Sequence, residues 1–337
     1  MEFWSFEFWI CFVFGASNFG FIYTDVKYSR HLLYMLILQQ ILQCALKGGW
    51  STGHFNASEL DQMRAIVEVC AQAGAPAMIG TSEGERKHLG LAEAVALRDV
   101  LRKKYDIPIF LNADHSKSVE TAKKAIDAGY DSVHIDLSAV PFDENARGTH
   151  EIVGYCRIKE DHRQTSSQYP NILENVGVSV EGELGYLKGE SKIEHEKITV
   201  SPDEYTNPEE AAEFVKQTGV DRLAIAVGNI HGISLDEPAL DIERIKKIRK
   251  AVPETVTLVL HAASGVPDDQ IKAAIEAGVA NIHINTELRV AFVNALKQSL
   301  AEHLDEAAMY KLDASAIDAM KKIVKEKLEL FGSINKI

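Results

Sequence analysis

The strongest constraint on the fold of this 337-residue chain is a regular alternation of short apolar runs with longer amphipathic segments, beginning near Trp50. Apolar runs of four to eight residues are typical of buried strands, and the longer segments have the period of helices. Strands separated by helices lie parallel in one sheet. The eight predicted strands are 51–56, 76–82, 108–115, 132–138, 176–183, 222–231, 256–262 and 280–286.

A glycine follows the last residue of several predicted helices between these strands. Several helices end in Ala-Gly or Thr-Gly, where glycine supplies the left-handed conformation of a helix C-terminus. Eight strand–helix units predict a closed (β/α)8 TIM barrel with its active site at the C-terminal ends of the strands. The alternative, an open doubly wound sheet, lacks its glycine-rich first turn. The predicted helices are 58–73, 89–104, 117–128, 144–163, 207–218, 241–251, 267–277 and 287–303.

The first 34 residues differ from the rest, because they hold twelve of the 26 aromatic residues. They lack the basic start of a signal peptide, and Glu7, Ser17 and Asn18 interrupt a span barely long enough for a membrane. We expect an over-extended start with Met35 as the initiator; an N-terminal anchor is the alternative. The predicted organisation is therefore an atypical extension (1–34), a barrel domain (35–310) and a C-terminal helical tail (311–337).

The net charge limits the kinds of binding partner that this chain suits, and the cysteines indicate its redox environment. A net charge of −13 argues against nucleic-acid and anionic-membrane binding, which need basic surfaces. The four cysteines are scattered without a Cys-x-x-Cys pair, which favours reduced thiols and a cytoplasmic location.

Polar residues follow nearly every predicted strand, so a barrel would collect them on one rim. Of the 12 histidines, His115, His231 and His261 each fall at the end of a different predicted strand. Three imidazoles in an accessible pocket are typical of a catalytic Zn²⁺ site. Asp136 and Glu183 add carboxylates that would bind a second metal or orient the imidazoles. His134, in mid-strand, reads as a packed or supporting group.

These segments resemble the class II, zinc-dependent ketose-bisphosphate aldolases, of which fructose-1,6-bisphosphate aldolase is the best-known type. The resemblance runs from about Gln40 to about Leu300. Each short motif is weak alone, but their order along successive strands is specific. The motifs are Asn112-Ala-Asp114-His115, His134-Ile-Asp136-Leu-Ser138, Val180-Glu181-Gly-Glu183-Leu-Gly185, Gly228-Asn229-Ile-His231-Gly232, His261-Ala-Ala-Ser264-Gly265 and Ile284-Asn285-Thr286-Glu287-Leu-Arg289.

The resemblance implies a role for each matching residue. It implies Zn²⁺ as the catalytic cofactor, with room for a second divalent or a monovalent cation. Asp114 would handle the proton of the C4 hydroxyl, and Glu190 would carry a proton at the three-carbon fragment, with Glu194 as a competing candidate. The implied metal ligands are His115, Asp136, Glu183, His231 and His261, and the implied substrate-binding residues are Asn56, Ser82, Gly232, Ser264, Asn285 and Thr286.

The predicted activity is a lyase reaction, the reversible cleavage of fructose 1,6-bisphosphate to dihydroxyacetone phosphate and glyceraldehyde 3-phosphate. A divalent cation stabilises the enediolate that aldol cleavage produces. A Schiff-base aldolase would need a desolvated lysine, and no predicted strand contains one. Two alternatives remain: a tagatose-1,6-bisphosphate aldolase and a repurposed, non-catalytic sugar-phosphate-binding barrel. The resemblance also implies a homo-oligomer, a dimer or tetramer.

The chain departs from the family pattern at two strands. Ala262 and Ala263 replace the two glycines of the usual His-Gly-Gly-Ser-Gly, where glycine lets the backbone approach a phosphate. At the last strand the usual Lys-x-Asn reads Asn281-Ile-His283. Strand alternation turns His283 toward the rim, where it would contact the substrate or the metal site unless the position has simply drifted.

Overall fold

The computed structural model describes residues 38–166, 177–193, 200–233 and 239–337. The predicted extension 1–34 lies outside these residues. In the part of the chain described, no helix combines the length and the apolar character needed to cross a membrane.

Eight parallel strands close into a barrel, which confirms the predicted (β/α)8 fold. Its order is β1-β10-β9-β7-β5-β4-β3-β2, so the first and last strands pair with each other. Two further strands, β6 and β8, form a separate parallel sheet above the barrel's C-terminal rim. The strands are β1 (Thr52–Asn56), β2 (Ala77–Thr81), β3 (Ile109–Ser116), β4 (Ser132–Ile135), β5 (Ser179–Leu184), β6 (Gly189–Ile193), β7 (Arg222–Ile225), β8 (His231–Ile233), β9 (Thr257–Leu260) and β10 (Val279–Ile284).

Helices surround the barrel, and several of them end at a glycine, as predicted. Gly74, Gly129 and Gly219 each end a helix in the left-handed conformation. The helices are α1 (Leu38–Gly48), α2 (Leu60–Ala73), α3 (Glu83–Leu89), α4 (Leu91–Tyr105), α5 (Val119–Ala128), α6 (Phe142–Ser166), α7 (Pro208–Thr218), α8 (Ile242–Ala251), α9 (Asp268–Glu276), α10 (Thr286–Glu302), α11 (Met309–Leu312) and α12 (Ala314–Leu330).

Helix α1 covers the N-terminal end of the barrel. Its buried face, with Ile41 and Leu42, packs on Met78, Phe110 and Ala280, which lie at the starts of three strands. Among the residues described, this apolar cluster covers the end of the barrel opposite to the polar rim.

Helix α12, within the predicted tail, packs against α2 and α10. Met320, Val324 and Leu328 recur at helical spacing and belong to the main hydrophobic core. The tail is therefore part of the barrel's outer layer.

One strand prediction was wrong in extent. The apolar run 222–231 does not form a single strand: β7 ends at Ile225, and His231 begins β8 in the small sheet. Ala226 and Val227 remain buried after the strand has ended. Their hydrophobic character reflects burial in a loop, not pairing in the barrel.

Candidate metal centre and substrate pocket

An open pocket lies at the C-terminal ends of the barrel strands. It is lined by Asp114 and by the three predicted imidazoles His115, His231 and His261. All six predicted substrate-binding residues also line it: Asn56, Ser82, Gly232, Ser264, Asn285 and Thr286. The sequence pattern thus identified residues that share one cavity although they come from distant segments.

The backbone at His115 is unusual and directs its side chain. The pairing of β3 with β4 shifts register between Ala113 and Ser116, and His115 has φ 46°, in the left-handed region. A bulge of this kind changes the direction of a side chain at the rim of a barrel. Non-glycine residues held in this region cluster at functional sites.

The imidazoles form a compact group. The ring centroid of His115 lies 5.0 Å from that of His231 and 4.8 Å from that of His261. His134 joins them, with its ring 4.5 Å from His115 and 4.7 Å from His261. His231 reaches the group from β8, not from the end of a barrel strand.

Two carboxylates fix which nitrogens of this group carry protons. His115 donates from Nδ1 to Asp136 Oδ2 at 2.6 Å, and His261 donates from Nε2 to Glu181 Oε1 at 2.5 Å. The remaining ring nitrogens, Nε2 of His115 and Nδ1 of His261, face each other at 3.2 Å. Burial would lower the pKa of His115, but Asp114, Asp136 and Glu183 raise it, so either a proton on Nε2 of His115 or a cation beside the pair can join these two nitrogens.

The donor set therefore fits a divalent cation. Ligand atoms of Asp114, His115, His134 and His261 lie within 4.8 Å of one another, as do those of His115, His134, Asp136 and Glu183. Among the residues described, Asp114 Oδ1 is buried without a hydrogen-bond partner, whereas His134 Nε2 lies 3.2 Å from Glu183 Oε2 as an ion pair. Imidazole with carboxylate is the ligand chemistry of Zn²⁺.

The protonation states suit metal binding at one imidazole and oppose it at another. Burial and the neighbouring His115 lower the pKa of His231 to about 3, so its ring is neutral at pH 7. Burial alone would lower the pKa of His134, but Glu181 and two other carboxylates raise it to about 10. A cation bound nearby would have to displace that proton.

Asp136 is held by groups on both sides. The hydroxyl oxygen of Ser138 lies 2.8 Å from Asp136 Oδ1 and 2.9 Å from Glu183 Oε1, so the two carboxylates share its single proton. The ammonium of Lys117, whose side chain is half exposed, contacts Oδ2. Burial would raise the pKa of Asp136, but His115 and the other nearby cationic groups lower it far below its usual range.

Asp114 is the buried carboxylate nearest the open pocket. Burial would raise its pKa, but the neighbouring imidazoles of His115, His134 and His283 outweigh that effect and hold the pKa well below its usual range. The side chain is therefore ionised.

The substrate-binding candidates lie around the start of α10. Ser264 Oγ accepts from the backbone N–H groups of Asn285 and Glu287, at 3.4 and 3.3 Å. Gly232 lies in β8 with φ 99°, and Ser82 caps α3. An N-terminus of a helix as long as α10 favours an anion.

The two departures from the family pattern also lie in this pocket. Ala262 and His283 both line it. Ala262 takes φ 55°, a conformation that glycine adopts without cost, whereas Ala263 is fully buried in the core. His283 is buried, with its Nδ1 3.6 Å from Asp114 Oδ1 and its ring 3.9 Å from that of His261.

Sequence reasoning gave no site role to Arg289 and no ligand role to His134. His134 was predicted to be a packed or supporting group, yet it belongs to both clusters of ligand atoms around His115. Arg289 lines the pocket and pairs with the buried Glu85 at 2.5 Å. The signal for His134 was its position two residues before Asp136 on the inward face of β4; that for Arg289 was its place in the last motif.

The two candidates for the proton carrier at the three-carbon fragment, Glu190 and Glu194, stay predictions. Glu190 lies in β6, next to the residue that pairs with His231, and its side chain is outside the description. Glu194 lies outside the described residues altogether.

The closed barrel and its pocket of imidazoles and carboxylates define a TIM barrel equipped to hold a divalent cation at its strand ends. The family model described as fructose-bisphosphate aldolase class-II matches residues 37–336. The chain belongs to this family.

Solved structures agree with this assignment. The YdjI aldolase of Escherichia coli K12 is 30% identical, with a TM-score of 0.72 over 89% of this chain and 98% of its own. A putative fructose-1,6-bisphosphate aldolase of Coccidioides immitis is 27% identical, with a TM-score of 0.70 over 88% and 96%. The fructose-bisphosphate aldolase of Campylobacter jejuni, at 22% identity and TM-score 0.69 over 89% and 95%, is similar in fold.

Proposed function

We propose that this protein is a zinc-dependent lyase that reversibly cleaves fructose 1,6-bisphosphate into dihydroxyacetone phosphate and glyceraldehyde 3-phosphate. One observation carries the proposal: the ring nitrogens of His115 and His261, 3.2 Å apart, lie in the same pocket as the ionised carboxylate of Asp114. Metal ligation and proton transfer are thus available at one place.

The metal would be held by the implied ligands His115, His231 and His261, with Asp136 and Glu183 beside them. A bound divalent cation supplies Lewis-acid stabilisation of the negative charge that develops on the three-carbon ketone fragment.

Asp114 acts as the general base in the cleavage direction. It accepts the proton of the C4 hydroxyl as the C3–C4 bond breaks, and returns it during condensation. Asn56 supports this role, because its amide donates to Asp114 Oδ2 at 3.0 Å and leaves Oδ1 without a hydrogen-bond partner in the structure described. Glu190, or Glu194 in its place, carries the proton to and from the carbon of the three-carbon fragment that was C3 of the ketose.

The two phosphates need different partners. Ser264, Gly232, Asn285 and Thr286 bind the ketone half, supported by the N-terminus of α10. The half-exposed guanidinium of Arg289, which pairs with Glu85 and lies on the pocket wall, is the candidate cation for the second phosphate. A local cation of this kind would help an acidic protein to bind a bisphosphate.

The chemistry of the barrel also disfavours an amine mechanism. All eight barrel strands are described, and none contains a lysine that could form a Schiff base.

A coupled assay for triose phosphate tests the proposal. The purified protein is given fructose 1,6-bisphosphate, with and without a chelator, and then Zn²⁺ is restored. We expect cleavage that the chelator abolishes and Zn²⁺ recovers. Cleavage that is indifferent to the chelator, or no cleavage at all, contradicts the proposal. The same assay with tagatose 1,6-bisphosphate compares the two epimers. If kcat/KM is higher for tagatose 1,6-bisphosphate, that compound is the substrate instead of fructose 1,6-bisphosphate.

A further inference from the structure

An arginine occupies the inside of the barrel below the pocket. Arg222, the first residue of β7, is fully buried. Its guanidinium donates to Glu181 Oε2 at 2.5 Å, to Asn112 Oδ1 at 3.3 Å and to Asn281 Oδ1 at 3.4 Å, and its Nε lies 3.2 Å from Ser179 Oγ. TIM-barrel interiors are ordinarily filled by Val, Ile and Leu, and burying a cation is costly.

Three of these partners each contact one imidazole of the upper layer. Glu181 accepts from His261 Nε2 at 2.5 Å. Asn281 Oδ1 lies 3.2 Å from His283 Nε2, and Asn112 Nδ2 lies 3.0 Å from His54 Nε2. The partners come from β5, β10 and β3, so the guanidinium reaches across the barrel.

The two asparagines can be oriented from their other contacts. Asn281 donates from Nδ2 to the backbone oxygen of Thr52, so its Oδ1 accepts from His283 Nε2–H. Asn112 Oδ1 accepts from Ser132, so its Nδ2 donates to the bare Nε2 of His54. In both amides the oxygen that Arg222 contacts is the accepting one, so the guanidinium favours this orientation over the flipped one.

The link through Glu181 bears on the metal centre. Because an ionised carboxylate only accepts hydrogen bonds, it keeps the proton of His261 on Nε2 and leaves Nδ1 bare toward His115. Arg222, on the other oxygen, neutralises Glu181 and fixes its orientation. Outer partners of this kind orient a metal-binding histidine and raise its basicity.

We propose that Arg222 is a positioning residue: its guanidinium, acting through Glu181, Asn281 and Asn112, sets the tautomers of His261, His283 and His54 and thereby tunes metal affinity. This inference rests on the metal site of the proposed function, but not on the reaction or its substrate.

The test measures Zn²⁺ affinity by competition with a chromophoric chelator, together with imidazole tautomers by ¹⁵N NMR of the metal-free protein. Arg222→Met is expected to weaken Zn²⁺ binding roughly ten- to a hundred-fold and to lose the Nε2–H tautomer of His261. Arg222→Lys should recover part of the affinity, because it restores the charge without the planar fork.

A matched control is Arg98→Met. Arg98 is also buried and bonds a carboxylate, Asp131, but on the outside of the barrel. The Arg98→Met variant should unfold at a lower temperature. Its Zn²⁺ affinity should stay within about two-fold of the wild-type affinity, because substitutions at distant sites usually act independently.

If Arg222→Met does not fold, Glu181→Gln provides a second test of whether Arg222 acts on the metal centre through Glu181. This isosteric change should weaken Zn²⁺ binding, and adding Arg222→Lys to it should weaken binding little further, since both act along one path. Wild-type Zn²⁺ affinity and tautomers in Arg222→Met, or wild-type affinity in Glu181→Gln, would overturn the inference. A wild-type protein that binds Zn²⁺ and shows the Arg222 effect, but cleaves no bisphosphate, would refute the proposed function alone.

Discussion

The amide nitrogen of Asn56 lies 3.0 Å from Oδ2 of Asp114, the carboxylate to which we assign proton transfer. The same nitrogen lies 2.9 Å from Oε2 of Glu85. One amide group therefore separates two buried carboxylates, and Arg289 holds the second of them from the pocket side. The orientation of Asp114 depends on this chain of contacts.

Replacing Asn56 by Ala should therefore lower kcat by roughly ten- to a hundred-fold, because small misplacements of a catalytic group have effects of this size. Zn²⁺ content should stay unchanged, since in the structure described the amide of Asn56 donates to Asp114 and Glu85 and not to an implied metal ligand. Steady-state kinetics and metal analysis of the same preparation check both statements. A raised KM with unchanged kcat would instead assign Asn56 to substrate binding.

Asp114→Asn should abolish most turnover while the protein still binds Zn²⁺, because the amide keeps the shape but cannot accept a proton. We expect a fall in kcat of at least about a hundred-fold. Glu85→Gln serves as a comparison that removes a neighbouring carboxylate without removing the base. Simultaneous loss of metal and turnover in Asp114→Asn would mean that Asp114 is itself a ligand.

The ammonium of Lys117 on Asp136 competes with any cation that uses this carboxylate. Lys117→Met should tighten Zn²⁺ binding by roughly two- to five-fold, a modest effect because the lysine side chain is half exposed and screened. Lys117→Arg, which keeps the charge, should bind Zn²⁺ as wild type does. Weaker binding in Lys117→Met would show that the lysine holds Asp136 in place for the metal.

The left-handed backbone at Ala262 carries strain that glycine would relieve. Ala262→Gly should raise the free energy of unfolding by about 0.5–1 kcal/mol. This is the strain of an alanine in the left-handed region, which the substitution removes, minus the extra conformational entropy that glycine gives the unfolded chain. Ala263→Gly, one position along in the buried core, should lower it by about 1 kcal/mol. Thermal midpoints of the two variants should therefore move in opposite directions.

Burial raises the pKa of the Cys70 thiol from its ordinary value of 9.0 to about 12. Below pH 9 the thiol is protonated in both the folded and the unfolded chain. As the pH rises from 9 toward 12 only the unfolded chain ionises there, so stability falls progressively, by up to about 4 kcal/mol. Urea unfolding of wild type and Cys70→Ala at several pH values should show a steeper alkaline loss for wild type. Parallel curves would show that Cys70 does not contribute.

The barrel was predictable because apolar runs and helix-ending glycines coincide along the chain. Predicted strand 108–115 became β3 (Ile109–Ser116), and the predicted helix 207–218 became α7 (Pro208–Thr218). The separate sheet was not predictable, because β6 reads Gly-Glu-Ser-Lys-Ile and has no apolar alternation. Its partner β8 was concealed by the apolar loop that follows β7.

The site could be predicted as a set of strand-end residues but not as a network. Spacing indicates which side chains reach the rim, whereas the partners of Asp136 and Asp114 depend on register and on the bulge at His115. Arg222 escaped notice because a charged residue at the start of a strand normally faces solvent. Only the closed barrel shows that it faces inward.

The meeting of His115 and His261 also has a consequence for how the chain acquires its metal. These imidazoles are 146 positions apart in sequence, and β9 and β10 must be in place before the barrel closes between its first and last strands. A chain in which β9 is not yet in place can gather the ligand atoms of His115, Asp136 and Glu183, but it lacks His261. A captured ion would then close a long loop and stabilise the last assembly step, so metal loading would report that folding is complete.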